Sequence, residues 1–144
     1  MKKAIILLFL MSFTGLLSAQ KRPPAVWVYS VNMYTRTIAA VPCNEFMRAF
    51  QGHIDTTVCY SRDSLDAIDA FLKHVRYSKD SEDIDTRVKF EYLSSTGKVT
   101  NICMDIFGIS LNGRMIEQYP EFYKYLQSLI PKRQLAPKGT KKPV

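Results

Sequence analysis

Histidine is scarce in this chain. His53 and His74 are the only two, too few for a multi-histidine metal centre, and neither stands in the H-E-x-x-H spacing of a zinc protease. Also missing are C-x-x-C, G-x-S-x-G, G-x-x-x-x-G-K-[ST] and G-x-G-x-x-G. Their absence removes the paired redox cysteines, the nucleophile elbow, the P-loop and the dinucleotide fingerprint. No internal repeat and no linker divides the body. Cysteine is sparse and odd in number: Cys43, Cys59 and Cys103 cannot all pair with one another. No cofactor and no metal is expected from such a chain.

What is present begins with "MKKAIILLFLMSFTGLLSAQ". Two lysines precede an apolar run from Ala4 to Leu17, followed by the small residues Ser18 and Ala19. This is the order of a secretory signal peptide, with cleavage expected between Ala19 and Gln20, although Leu17 is large for its place before the cut. The run is about 14 residues, short of the roughly 18 to 20 that a membrane-spanning helix needs. No cysteine follows Ala19, so a lipidated mature terminus is not indicated. The short "MKK" start has a bacterial look. The expected organisation is a signal peptide over 1–19, one domain over 20–130 and a basic tail over 131–144. The expected location is the periplasm or the outside of the cell.

The whole chain has 20 basic and 13 acidic residues, which invites a nucleic-acid reading. Position removes it. Lys132, Arg133, Lys138, Lys141 and Lys142 lie in "PKRQLAPKGTKKPV", and four more basic residues stand before Pro23. Between Ala25 and Ile130 there are 11 basic and 13 acidic residues. The body is slightly acidic, so nucleic acid is not an expected partner. A Pro, Gly and Lys-rich end with few apolar residues reads as a solvated tail, and its functional alternative is weak contact with an anionic membrane or cell-wall polymer.

Along the body, "AVWVYSV" and "RTIAAVP" are β-rich runs around a polar "NMYT", consistent with a hairpin or one long bent strand. "CNEFMRAFQG" reads as a short helix stopped at Gly52, and "DTTVCY" as a strand. In "SRDSLDAIDAFLKHVRYSKD", Leu65, Ile68, Leu72 and Val75 recur at helical spacing, with Phe71 widening the stripe. Acidic residues load its start and basic ones its end, and Asp69 and Lys73 stand four apart in the favourable order. "TRVKFEYL" alternates as a half-buried strand. "SSTG" turns the chain into "KVTNICMDIFGISL", where Gly108 suggests a bulge or bend, and Asn112-Gly113 marks a tight hairpin into "RMIEQ". "YPEFYKYLQSLIP" starts a helix at Pro120 and stops at Pro131. The fold class that follows is α+β: a single compact domain with a mostly antiparallel sheet of about four to five strands and two to three helices packed on it.

Strand parity puts Cys103 with Asn101 and Asp105, on the more polar side of its strand, and Cys59 on the side of Thr57. If one bridge forms in an exported chain, these two are the expected pair; the alternative is three buried thiols with no bridge. Cys43, at a helix start, is the candidate reactive thiol, with His53, His74 and Asn44 as conceivable partners for nucleophilic chemistry. The acidic loop "KDSEDID" supplies oxygen ligands but lacks the glycine and distal glutamate of a calcium loop, and reads as a solvated connection.

Tyrosine is plentiful. Tyr29, Tyr34, Tyr60, Tyr77, Tyr92, Tyr119, Tyr123 and Tyr125 join Trp27 in a small body, and tyrosine is enriched at recognition surfaces. Phe122, Leu126 and Leu129 claim the core stripe of the last helix, which leaves Tyr123 partly exposed and makes Tyr119, Tyr123 and Tyr125 the candidate partner surface. The functional expectation is a small exported, non-enzymatic protein-binding module of the inhibitor, immunity or envelope-accessory kind. The alternatives are a Cys43-dependent enzyme and an envelope-attached protein held by its tail.

Overall fold

The computed structural model describes residues 22–79 and 84–136. The expected signal segment 1–19, Asp80, Glu82 and Asp83 of the acidic loop, and Lys138, Lys141 and Lys142 of the tail lie outside them. The described residues form one antiparallel sheet of six strands with four helices: β1 (Ala25–Ser30), α1 (Phe46–Ala49), β2 (Asp55–Cys59), α2 (Arg62–Leu72), β3 (Val88–Leu93), β4 (Val99–Met104), β5 (Ile109–Leu111), β6 (Arg114–Met115), α3 (Pro120–Ser128) and α4 (Lys132–Leu135). The strand order is β2-β1-β3-β4-β5-β6. The α+β architecture expected from the sequence is the one found, with one strand more than the upper expectation.

Alternation decides which face is dry. On one side of the sheet Val26 and Val28 of β1 stand beside Tyr92 and Phe90 of β3, which in turn face Thr100 and Ile102 of β4. All of these apolar residues are buried, and they pack with Ile68 of α2 and with Phe122 and Leu126 of α3. Between the two long helices Phe71 meets Tyr119, Phe122 and Tyr125 at ring-centroid distances of 5.6, 5.0 and 5.4 Å. Truncating a fully buried ring such as Phe90 would cost about 3–5 kcal/mol by loss of transfer energy and creation of a cavity.

The helical periodicity of 62–72 is realised, and Ser61 stands at its N-cap position. Asp69 does something the sequence did not suggest: rather than serving only the surface, it takes a hydrogen bond from the Tyr92 hydroxyl. Asn112 and Gly113 take φ values of 48° and 81° between β5 and β6, the left-handed pair that a two-residue hairpin requires. The short β6 edge is closed off by a bridge between Tyr77 and Ile116 and by the Ser78 amide donating to the Met115 carbonyl at 3.0 Å.

The opposite face carries Trp27, Tyr29, Lys89, Glu91, Asn101, Cys103 and Ser110. The excursion between β1 and β2 crosses part of it and builds a second small core from Val31, Val41, Phe46 and Phe50, against which Tyr29 and Ile54 pack. Here the expectation for "RTIAAVP" fails. Residues 36–42 form no strand, and β1 pairs with β2 and β3 instead. The loop's backbone is satisfied by side chains: the Val41 amide donates to Asp85 Oδ1 at 2.8 Å, and the Thr35 carbonyl accepts from Arg87 Nε at 2.8 Å. Arg87 is buried to 4% exposure, clamps Asp85 with both terminal nitrogens and lies 5.5 Å from the Phe50 ring centroid.

A second difference concerns residues 132–136, expected as part of a solvated tail. Lys132–Leu135 is a short helix. The Gln134 carbonyl accepts from the Met33 amide at 2.8 Å, Asn32 Nδ2 donates to the Ala136 carbonyl at 2.7 Å, and Arg133 Nε donates to Asp55 Oδ2 at 2.9 Å. Lys132 and Arg133 therefore belong to the folded body.

Candidate functional site

The cysteines resolve differently from the expectation. Cys103 is joined to Cys43, with 5.8 Å between their Cα atoms, and Cys59 is the free thiol. Register explains why Cys59 and Cys103 do not meet. Cys59 stands beside Val26, in the row of Tyr92 and Thr100 on the helix-covered face, whereas Cys103 stands beside Lys89 on the other. β1 and β3 also lie between their strands. Parity within β4 placed Cys103 correctly on the polar face; the side of β2 that holds Cys59 turned out to be the dry one. Cys43 comes from the excursion over the polar face, and its bond to Cys103 ties that excursion to the sheet.

This pairing also bears on catalysis. A sulfur held in a disulfide offers no thiolate, so Cys43 is not a nucleophile in this state. Among the described residues no group of three His, Cys, Asp or Glu is placed to hold a metal ion, and no helix is long and apolar enough to cross a membrane.

The three candidate tyrosines divide. Tyr125 turns toward α2, where its hydroxyl donates to the Ser64 carbonyl at 3.2 Å. Tyr119 and Tyr123 instead line a groove of about 560 Å³ together with Ile106, Phe107 and Ile116. The Tyr123 hydroxyl donates to the Asp105 carbonyl at 2.8 Å. Burial first, and the nearby Asp105 next, push its pKa above the usual tyrosine range.

The most exposed apolar feature beside that groove went unread in the sequence. Asp105, itself buried, bends the chain after β4: its Oδ1 accepts from the Phe107 and Gly108 amides at 2.7 and 2.8 Å, and its Oδ2 from the Asp85 amide at 3.2 Å. Fixed in this turn, Ile106 and Phe107 project outward at 45% and 80% exposure, next to Tyr34 at 51%. Tyr34, Ile106 and Phe107 also share a second concavity of about 370 Å³, floored by Asp85 and Arg87. A Cβ at Gly108 would sit 2.9 Å from Met115 Cε, so a larger residue there would have to push the end of that methionine aside. The available signal was an aspartate three residues before a glycine, the sequence of a side-chain-stabilised turn. Strand propensity in "MDIFGISL" masked it.

The chain was compared with protein-family models, with curated proteins and with solved structures, and none of them matches it.

Proposed function

We propose that this protein is a small, non-enzymatic protein-binding module that engages its partner through the ridge of Tyr34, Ile106 and Phe107 and the groove beside it. The observation that carries this reading is Phe107, an aromatic side chain 80% exposed on a turn that the buried Asp105 holds rigid. Rigid, exposed aromatics beside a concavity are the residues on which binding energy concentrates, because little ordering entropy is lost when they are covered. Tyr119 and Tyr123 along the groove extend the apolar area and add polar tips. The near-neutral body supports a protein partner over nucleic acid.

Export fits the same picture. A disulfide persists in an oxidising compartment, and the N-terminal segment has the order of a signal peptide. The partner is then sought in the periplasm, envelope or culture fluid.

The test compares the oxidised 20–144 chain with its Phe107→Asp variant as immobilised bait for envelope and culture-fluid proteins. The substitution removes no buried contact, so the variant should melt with the wild type. The expected result is a protein retained by the wild type and reduced about tenfold or more on the variant, the loss of one hot-spot residue. Equal retention on both baits, or none on either, rejects the ridge as the binding surface.

A further inference from the structure

The polar face of the sheet holds a concavity that the protein-binding reading does not use. It measures about 820 Å³ and lies between the disulfide-tied segment at Cys43 and the β5–β6 hairpin. Its lining includes Asn44, Lys89, Asn101, Ser110 and Asn112. From these groups we infer a binding site for a small, uncharged, polyhydroxylated ligand of the oligosaccharide class.

The volume is that of a small-molecule site, and such sites owe their selectivity to a few placed polar groups. Ser110 sits in register with Cys103, hence on the polar face, and is 4% exposed. Its hydroxyl oxygen is covered and has no hydrogen-bond partner in the protein, which leaves an unsatisfied polar group just beneath the floor of the concavity. Three asparagines surround it. A side-chain amide both donates and accepts, so it can meet a hydroxyl in either role and span two neighbouring hydroxyls. Asn112 Oδ1 already accepts from the Asn101 backbone N–H at 2.9 Å, which fixes one wall of the site while leaving the Asn112 side-chain NH2 as a donor.

Charge sets the ligand class. Lys89, the cation in the lining, has a side chain 14% exposed and is held 3.0 Å from Glu91 Oε1. The pair is neutral as a unit, so the cation of the lining is already compensated from just outside it and offers an anionic ligand little net attraction. The ammonium keeps donors beyond the one given to Glu91, suited to oxygens without formal charge. On the same face Trp27 stands in register with Glu91, which stands in register with Asn101. Two strand spacings, about 10 Å, therefore separate the indole from the amide. An extended chain of sugar rings reaching from the concavity would meet the Trp27 ring, whose apolar area suits the C–H face of a pyranose.

The probes are cellotriose, chitotriose and maltotriose, each titrated into the oxidised, isotope-labelled 20–144 chain and followed by amide NMR. At least one of the three should give saturable shifts at Asn44, Asn101, Ser110 and Asn112, together with the Asn side-chain amides, while Phe107 stays unmoved. Asn101→Ala should weaken that binding about tenfold. Because Asn101 lies within the sheet, the rim variant Asn44→Ala is measured beside it and should weaken binding by a smaller factor. The inference is overturned if none of the three sugars gives saturable shifts at these residues. It is equally overturned if gluconate or a short peptide binds there and the sugars do not, or if both asparagine variants bind as the wild type does.

Discussion

Arg87 is the side chain on which the most separate pieces of chain depend. Both of its terminal nitrogens reach Asp85, Nη2 also reaches the Thr37 hydroxyl at 2.9 Å, and Nε reaches the Thr35 carbonyl. A buried guanidinium needs all these acceptors, and the acceptors need it. Removing the guanidinium leaves the Thr35 carbonyl and the Thr37 hydroxyl without this donor, while Asp85, its side chain 39% exposed, can turn to water. Arg87→Ala is therefore expected to cost about 1–3 kcal/mol, read as a lowered urea midpoint. Arg87→Lys should recover only part of this, because a point charge cannot serve two carboxylate oxygens and two further acceptors at once.

Tyrosines give the molecule its pH limit on the alkaline side. Burial first, and then the hydrogen bond to Asp69, hold the Tyr92 hydroxyl far above the usual tyrosine range. Burial raises Tyr29 and Tyr123 as well. A raised folded value means that the native state keeps its phenolic protons after the unfolded chain has lost them. The stability from these protons is complete below an unfolded value of about 10 and is lost as pH climbs from there toward the folded values. Urea midpoints should hold up to about pH 10 and fall as the pH climbs above it, and Tyr92→Phe should flatten that fall.

Among the elements, those that carry their own pattern were readable and those held by distant partners were not. α2 announces itself through Leu65, Ile68 and Leu72. β3 alternates Val88, Phe90 and Tyr92 with charged neighbours, and Asn112-Gly113 states its turn type outright. The run 36–42 has strand propensity but cannot pair back onto β1, since β2 and β3 already occupy both of its sides. Its hydrogen bonds go to Asp85 and Arg87 instead, residues that no local pattern connects to it. The same holds for the site. The sequence marked Tyr119 and Tyr123, while the exposure of Phe107 depends on a turn built by the buried carboxylate of Asp105.

α4 is the clearest case of an element made by its contacts. Four residues do not form a stable helix alone. Hydrogen bonds from Arg133 first, and from Gln134 next, draw the Asp55 carboxyl below its usual range. Its contribution is present above the unfolded carboxylate value and is lost as pH falls through the folded one. Asp55→Asn should loosen α4 at neutral pH, and the readout is exchange of the Met33 amide, which donates to Gln134. An increase of roughly two- to fivefold is expected, the modest effect of a surface ion pair, with amides in β3 unchanged.

Across the whole molecule, the disulfide links residues 60 apart in sequence and joins the excursion over the polar face to the middle of the sheet. In the chain-entropy account a loop of that size contributes about 4 kcal/mol by restricting the unfolded chain. The double variant Cys43→Ala/Cys103→Ala should lose about that much in denaturant unfolding while keeping the far-ultraviolet spectrum of the sheet. Cys59→Ala should leave the bridge intact, which the mass of the alkylated, unreduced protein would verify as no remaining free thiol.

The place of β1 in the sheet has a consequence for how the protein comes into being. First in the sequence among the strands, it sits between β2 and β3, in register with Phe90 and Tyr92 far along the chain. The strands β3 to β6 need only short turns to find one another, whereas β1 must close a long loop before its second partner exists. A chain delivered from its N-terminus therefore carries "AVWVYS", unprotected and apolar, through most of its own delivery. Until the C-terminal meander arrives to cover it, that strand is open to non-native pairing.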